Sequence, residues 1–356
     1  MGTTLLATTT RAWGVPRKLT ARPKIQLLVG DISATTQARY TNKVEALERF
    51  IINCGGPSLG FMVKAGALQA VLVWTQTFLQ VGYDTQLLSL SDAANLLCGL
   101  KRWFQLQLIS VHLTELNFDG VLKPLWSLYG HWKKVEPYDF RVPVPELLVW
   151  ALVGQALLIR QPKLVLFILV GFFCLLRPGE ILGLRHCDFW HDGGPLAVLR
   201  IQRPKIKHPQ VQHVLVEQQW LIRLGHLFFD PLQGSTLLFD WNENQLLKRW
   251  TLLFQLLQLP QRPFEDLEGF SQGRFTPAGL RAGGATFDYL RYQNLHRLMW
   301  RGRWHSLQVL EHYVQLGIYT YYNQQTFHHM LNTLEELRRI AMLAVGAPED
   351  PRPPAP

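Results

Sequence analysis

Residues 163–180 read KLVLFILVGFFCLLRPGE, an apolar run that ends on Arg177. A guanidinium there cannot shed its charge and has to find an anion, either a nearby carboxylate such as Glu180 or Asp188 or a ligand. Further residues of reactive type follow at wide spacing: Lys205 in the basic turn RPKIKH, Arg281 in PAGLRAGGAT, and Tyr313, nine residues after Trp304 in GRWHSLQVLEHY. Two planar guanidiniums suit an oxyanion, because each grips two oxygens at once. A tyrosine hydroxyl is a poor nucleophile while neutral, with an ordinary pKa of about 10. Nearby arginines favour its phenolate. Singly, each residue has a plainer reading: a helix-end salt bridge for Arg177, core packing for Trp304, and for Tyr313 the competition of Tyr319, Tyr321 and Tyr322. Their joint order is what carries information.

The stretch RHCDFWHD (185–192) gathers His186, Cys187, Asp188, His191 and Asp192. A zinc site needs four converging ligands at their own spacings, and this stretch reads better as a turn after the Arg177 segment. His328 and His329 are adjacent and point apart on a helix. No metal and no cofactor is expected.

The elements that must position these residues are mostly helical. SATTQARYTNKVEALERFI opens a first helix at Ser33, with Tyr40, Val44, Leu47 and Ile51 on one face. Amphipathic stretches follow at about 66–81, 91–106 and 110–132, giving a bundle of four or five helices. VEPYDFRVPVP (135–145) holds three prolines and reads as a linker. The apolar windows 147–159 and 164–176 are broken by Arg160, Gln161 and Lys163 and fall short of the ~20 residues that span a bilayer, so they read as buried core helices and no membrane is expected. PLAVLRIQRPKIKHPQVQHVLVE alternates as a hairpin or three-stranded sheet. Helical pattern returns at 217–229, 241–258 and 326–344, the last with Phe327, Met330, Leu331, Leu334, Leu337 and Leu343 on an apolar stripe that must be buried. The fold class is mainly α with a small β-sheet, in two domains.

Composition narrows the class. The 356 residues carry 36 Lys and Arg against 26 Asp and Glu, a net charge of +10, which suits a polyanionic partner. Four scattered cysteines, Cys54, Cys98, Cys174 and Cys187, form no disulfide framework and suit a reducing compartment. Residues 1–32 are basic and acid-poor before Asp31, the composition of a disordered arm, a DNA-touching arm or an organelle-targeting segment. Residues 346–356 read as a disordered tail.

The order LLRPGE, RPKIKH, AGLR and RW followed by Tyr313 resembles the catalytic domain of the tyrosine recombinases, the phage-integrase family. That resemblance spans 145–345 by motif and 33–135 by analogy with the family's helical core-binding domain. The boxes GRW and GLRAGGAT are most similar to integrases of DIRS-type retroelements. The resemblance implies a SAM-like helical core-binding domain (33–134), a linker (135–145) and an α+β catalytic domain (146–345), the two clamping duplex DNA. It implies strand cutting and rejoining through a 3′-phosphotyrosyl link to Tyr313, with Arg177 and Arg281 on the phosphate, Lys205 as general acid with Lys207 as fallback, and Trp304 donating its indole N–H. Arg203, Lys207, Arg301 and Arg303 are candidate DNA contacts. The C-terminal helix would serve self-assembly on DNA. Localisation would be nuclear in a eukaryote and otherwise cytoplasmic. One departure stands out: the family histidine of H-x-x-R falls on Ala278, which moves no proton. His305 and His312 are possible compensators. A recombinase that binds DNA without cleaving it is therefore the second reading, and a helical scaffold the third.

Overall fold

The computed structural model describes residues 32–111, 118–136, 142–202, 211–261, 274–321 and 330–348. Arg203, Lys205, Lys207, Tyr322, Phe327, His328, His329, the arm 1–31 and the tail beyond 348 lie outside the described residues. The chain is mainly helical with one small sheet, and it divides between Pro137 and Tyr138 into two compact units, each with its own core.

The first unit holds α1 (Ala34–Asn53), α2 (Leu59–Lys64), α3 (Leu68–Asp84), α4 (Leu90–Val111) and α5 (Asp119–Val135). Ser33 caps α1, its hydroxyl accepting the Thr36 N–H at 3.2 Å. The periodic apolar face behind it, Val44, Leu47 and Ile51, is buried. Helix α4 meets α1 at Gly99, where a Cβ would stand 2.9 Å from the Tyr40 carbonyl. Phe104 and Phe118 stack with ring centroids 4.3 Å apart, tying α4 to the start of α5. The expected stretch 110–132 starts inside α4 and its helix begins only at Asp119. Helix α2 has no counterpart in the sequence reading, being too short to display a period.

In the second unit the two apolar windows become α6 (Glu146–Leu158) and α7 (Pro162–Phe173). Every residue of α7 from Leu164 to Phe173 is buried, as a helix apolar all round requires. Leu175 then takes the left-handed region at φ 53°, which a non-glycine residue enters at a cost. Arg177 is extended before Pro178 and starts α8 (Pro178–Leu182). It therefore does not end the buried helix, as the sequence suggested: reversed Leu175 and Pro178 both break the helical course.

A turn of 3₁₀ helix at His186–Asp188 leads into an antiparallel sheet of β1 (Phe189–Trp190), β2 (Ala197–Ile201) and β3 (Gln212–Val216), paired in that order. Ala197, Leu199 and Ile201 face the core. The helices α9 (Gln219–Phe228), α10 (Glu243–Leu256), α11 (Gly279–Tyr292), α12 (Leu295–Gly302), α13 (Leu307–Glu311), α14 (Leu316–Tyr321) and α15 (Leu331–Val345) complete the unit.

Two sequence expectations are corrected here. The linker does not extend through residue 145, because Val142 and Val144 are buried and the Val144 N–H donates to the Gly279 carbonyl at 3.1 Å. The C-terminal helix buries its stripe on a different set of residues than expected: Leu334, Leu337, Ala341 and Met342 pack into the unit's core, and a Cβ on Gly154 of α6 would lie 2.5 Å from the Leu337 carbonyl. Leu343 is 85% exposed. It stands nine residues from Leu334, about two and a half turns at roughly 3.6 residues per turn, and so on the opposite face.

Among the described residues no helix is long and apolar enough to cross a membrane.

Candidate active site

Glu180 answers the opening question about Arg177. The carboxylate is 3% exposed, and its Oε1 takes the Arg177 guanidinium at 2.7 Å while its Oε2 takes the Arg177 backbone N–H at 3.0 Å. The RPGE turn makes this inevitable: proline pre-sets the first helical φ and glutamate at the third position folds back on the cap. Yet Glu180 is shared. Arg303 donates to Oε2 at 2.8 Å, and Arg281 lies 3.8 Å from the same oxygen. Burial works to raise the Glu180 carboxyl, but Arg303 and Arg177 outweigh it and hold the group below the usual carboxylate range.

Arg281 is 1% exposed. Its Nη1 and Nη2 donate to the carbonyls of Leu175 and Gly302, so the reversed backbone at Leu175 is what presents one acceptor. Burial first, and then the neighbouring Arg177 and Arg303, bring its pKa down to about 9, leaving it charged at neutral pH. The glycines of GLRAGGAT let α11 reach this depth. A Cβ on Gly279 would stand 2.3 Å from the Val142 carbonyl, on Gly283 1.9 Å from that of Val144, and on Gly284 2.1 Å from that of Phe172.

The Arg281 guanidinium carbon lies 4.6 Å from the Trp304 ring centroid and 5.5 Å from that of Tyr313, within cation–π range of both. The two rings are themselves 5.0 Å apart, tilted at 55°. Gly302 is glycine because the Trp304 ring fills the place of its Cβ, 1.6 Å away. Three N–H donors of the constellation, Arg281 Nε, Arg303 Nε and Trp304 Nε1, are shielded and have no acceptor among the described residues. Each such orphan costs about 1–3 kcal/mol.

Arg177, Arg281, Trp304 and Tyr313 thus come together from three separate stretches. Lys205 lies outside the described residues, but Gln212, at the start of the strand that follows its turn, accepts from Arg303 Nη1 at 2.9 Å. Tyr313 lies two residues beyond the end of α13. Next to it the Thr286 hydroxyl, 3.0 Å from the Ala282 carbonyl and 3.2 Å from that of Tyr313, accepts the Gln315 N–H at 3.2 Å. Tyr319 is in helix α14, buried, with its hydroxyl accepting the Glu146 N–H at 3.1 Å. Tyr321 closes the same helix.

Arg301, expected to contact DNA, is instead consumed inside: it donates to Asp288 and to the Phe173 carbonyl and lies 3.5 Å from Glu217. Arg303 is also internal, 10% exposed. Ala278 sits at the N-cap of α11 with no side-chain cap. His305 and His312 are exposed. Asp188, one of the metal-cluster candidates, accepts from Arg200 Nε at 2.9 Å, Gln202 Nε2 at 2.7 Å and the Arg185 N–H at 2.8 Å. The importance of Glu180 and Gly302 was visible only as spacing, an acid three residues after Arg177 and a glycine two before Trp304.

The sequence matches no protein-family model and no curated protein. Solved structures give similarities at low identity. A XerH site-specific recombinase bound to difH substrate in a pre-cleavage complex is 15% identical, over 81% of this chain and 96% of that one, with a TM-score of 0.37. A XerH post-cleavage complex on palindromic difH is 15% identical, over 75% of this chain and 72% of that one, at 0.39. XerA recombinase is 13% identical, over 81% of this chain and 98% of that one, at 0.35.

Proposed function

We propose that the chain cuts and rejoins double-stranded DNA through a covalent bond from Tyr313 to a 3′-phosphate, in the integration of a mobile element. The observation that supports it best is the charge imbalance at Glu180. Arg177, Arg281 and Arg303 surround one carboxylate, an excess of two positive charges among the described residues, beside a tyrosine and an unpaired indole N–H. A phosphodiester in attack gathers negative charge on its non-bridging oxygens, and guanidiniums stabilise it with no metal required. The Tyr313 oxygen forms the new bond to phosphorus while the bond to the 5′-oxygen breaks. That oxygen takes a proton from a general acid, the role the family resemblance gives Lys205. The phosphotyrosyl bond conserves the energy of the one broken, so rejoining needs no ATP. The likeness of GRW and GLRAGGAT to DIRS-type integrases is what supports the mobile-element setting.

The test is incubation with nicked suicide duplexes and a denaturing gel. A protein–DNA adduct is expected, lost in Tyr313→Phe while duplex binding persists. An adduct retained in Tyr313→Phe overturns the assignment of the nucleophile. Binding should weaken by roughly 10³–10⁵ between 50 and 200 mM salt if about 6–10 phosphates are engaged. Ala278 favours a second reading, a DNA binder that no longer cuts. No adduct from the unaltered chain, and none from Ala278→His, would decide for it.

A further inference from the structure

We propose that Arg303 is a third guanidinium on the reacting phosphate, supplying from α12 the donor that Ala278 cannot supply from α11; this rests on the DNA-cutting reading above. Arg303 caps α12 in the left-handed region, at φ 58° and ψ 42°, a place where glycine is the ordinary occupant. An arginine held there has its side chain turned out of the helical course. It runs into the constellation, to Glu180 Oε2 at 2.8 Å through Nη2 and to Gln212 Oε1 at 2.9 Å through Nη1.

Both contacts are ones a phosphate can improve on. Gln212 is neutral, and the Glu180 oxygen is already shared with the Arg177 backbone and approached by Arg281. Arg303 Nε is shielded and unpartnered, like Arg281 Nε and Trp304 Nε1. The guanidinium also bears on Arg281, adding to burial and to Arg177 in bringing its pKa down. A non-bridging phosphate oxygen would draw Arg303 from the overshared carboxylate. Since a guanidinium keeps its proton, Arg303 replaces a hydrogen-bond donor and a charge, and moves no proton. Cleavage should accordingly carry no titration limb of its own near the histidine range of about 6.5.

The experiment compares the full chain with Arg303→Ala and Arg303→Lys on two nicked duplexes, one with an ordinary scissile phosphodiester and one with a neutral methylphosphonate there. On the ordinary duplex the alanine variant should form adduct about 10²–10³ slower, the cost of one lost oxyanion donor, with lysine between. On the methylphosphonate, where one oxygen's charge is gone, the deficit should shrink at least about tenfold, since less charge then needs an answering donor. An equal deficit on both duplexes, or none, overturns the proposal and leaves Arg303 a structural tie between Glu180 and Gln212. Should the alanine variant fail to fold, the lysine variant carries the same comparison. Inorganic phosphate titrated by ³¹P NMR separates the two levels. If neither the unaltered chain nor Ala278→His makes an adduct on any duplex, the cutting reading falls. Phosphate affinity then decides for Arg303: a loss of about tenfold or more, one charge-assisted hydrogen bond, supports it, and unchanged affinity sinks it.

Discussion

Replacing Glu180 with glutamine should strip the one negative charge from the arginine constellation while keeping its shape. The carboxylate is 3% exposed and bonds Arg177 at 2.7 Å and Arg303 at 2.8 Å, with Arg281 at 3.8 Å. Removing one partner of a buried ion pair costs about 3–5 kcal/mol, because the other charge is left uncompensated. For a unit of roughly 150–250 residues each kcal/mol moves Tm by about 2–4 °C, so the shift should be roughly 6–20 °C downward. Circular dichroism melts at low salt measure it. Adding a phosphate-bearing polyanion should restore part of the loss, since an anion bound only by the folded state stabilises by about 2.7 kcal/mol at a hundred times its Kd. Acid provides an internal check. Glu180 is held below its ordinary value in the fold, so its contribution is complete above the ordinary carboxylate pKa of about 4.3 and is lost as pH falls through the still lower folded value. The glutamine variant should lack that acid-side loss. A Tm within about 2 °C of the unaltered protein, less than the shift for one kcal/mol in the smallest such unit, would refute the reasoning.

Other perturbations have outcomes set by packing. Gly283→Ala places a Cβ 1.9 Å from the Val144 carbonyl, where backbone must move, and should destabilise by about 1–3 kcal/mol or more in chemical denaturation. Burial pushes the Cys174 thiol up to about 12, so iodoacetamide at pH 8 should leave it unmodified in the native protein while exposed Cys54 reacts, as mass spectrometry of peptides can show. Leu334→Ala, at a residue buried in its own chain's core, should cost about 2–5 kcal/mol at every protein concentration. A loss that varied with concentration would place that face in an intermolecular contact instead.

How much of this was legible beforehand differs by element. Helices α1, α6 and α7 could be read because their apolar residues recur or run unbroken, a signal that local spacing carries by itself. The meeting of Arg177, Arg281, Trp304 and Tyr313 could be anticipated only from their joint order, since nothing local says that residues so far apart approach. What could not be read depended on partners distant in sequence. Thr286 holds the chain at Gln315, Val142 and Val144 turn the end of a proline-rich segment into core, and Asp288 claims Arg301. A pairwise contact of this kind leaves no period behind. Leu343 shares the residue type of the α15 stripe but not its angle, standing half a turn round from Leu334.

The Thr286 latch bears on how a nucleophile is delivered. Between Leu310, buried at 1% exposure, and Tyr319, pinned through its hydroxyl to the Glu146 N–H, the chain carries Tyr313 past a single threonine side chain. The single hydroxyl proton is shared with the Ala282 carbonyl at 3.0 Å, so the hold on this stretch is chiefly the Gln315 N–H bond, worth about 0.5–1.5 kcal/mol. The Tyr313 N–H adds a bond to the Leu310 carbonyl at 2.8 Å, and its ring leans on that of Trp304 5.0 Å away. Under the proposed chemistry, Thr286 is then a place where the setting of Tyr313 is tuned without touching any charged group.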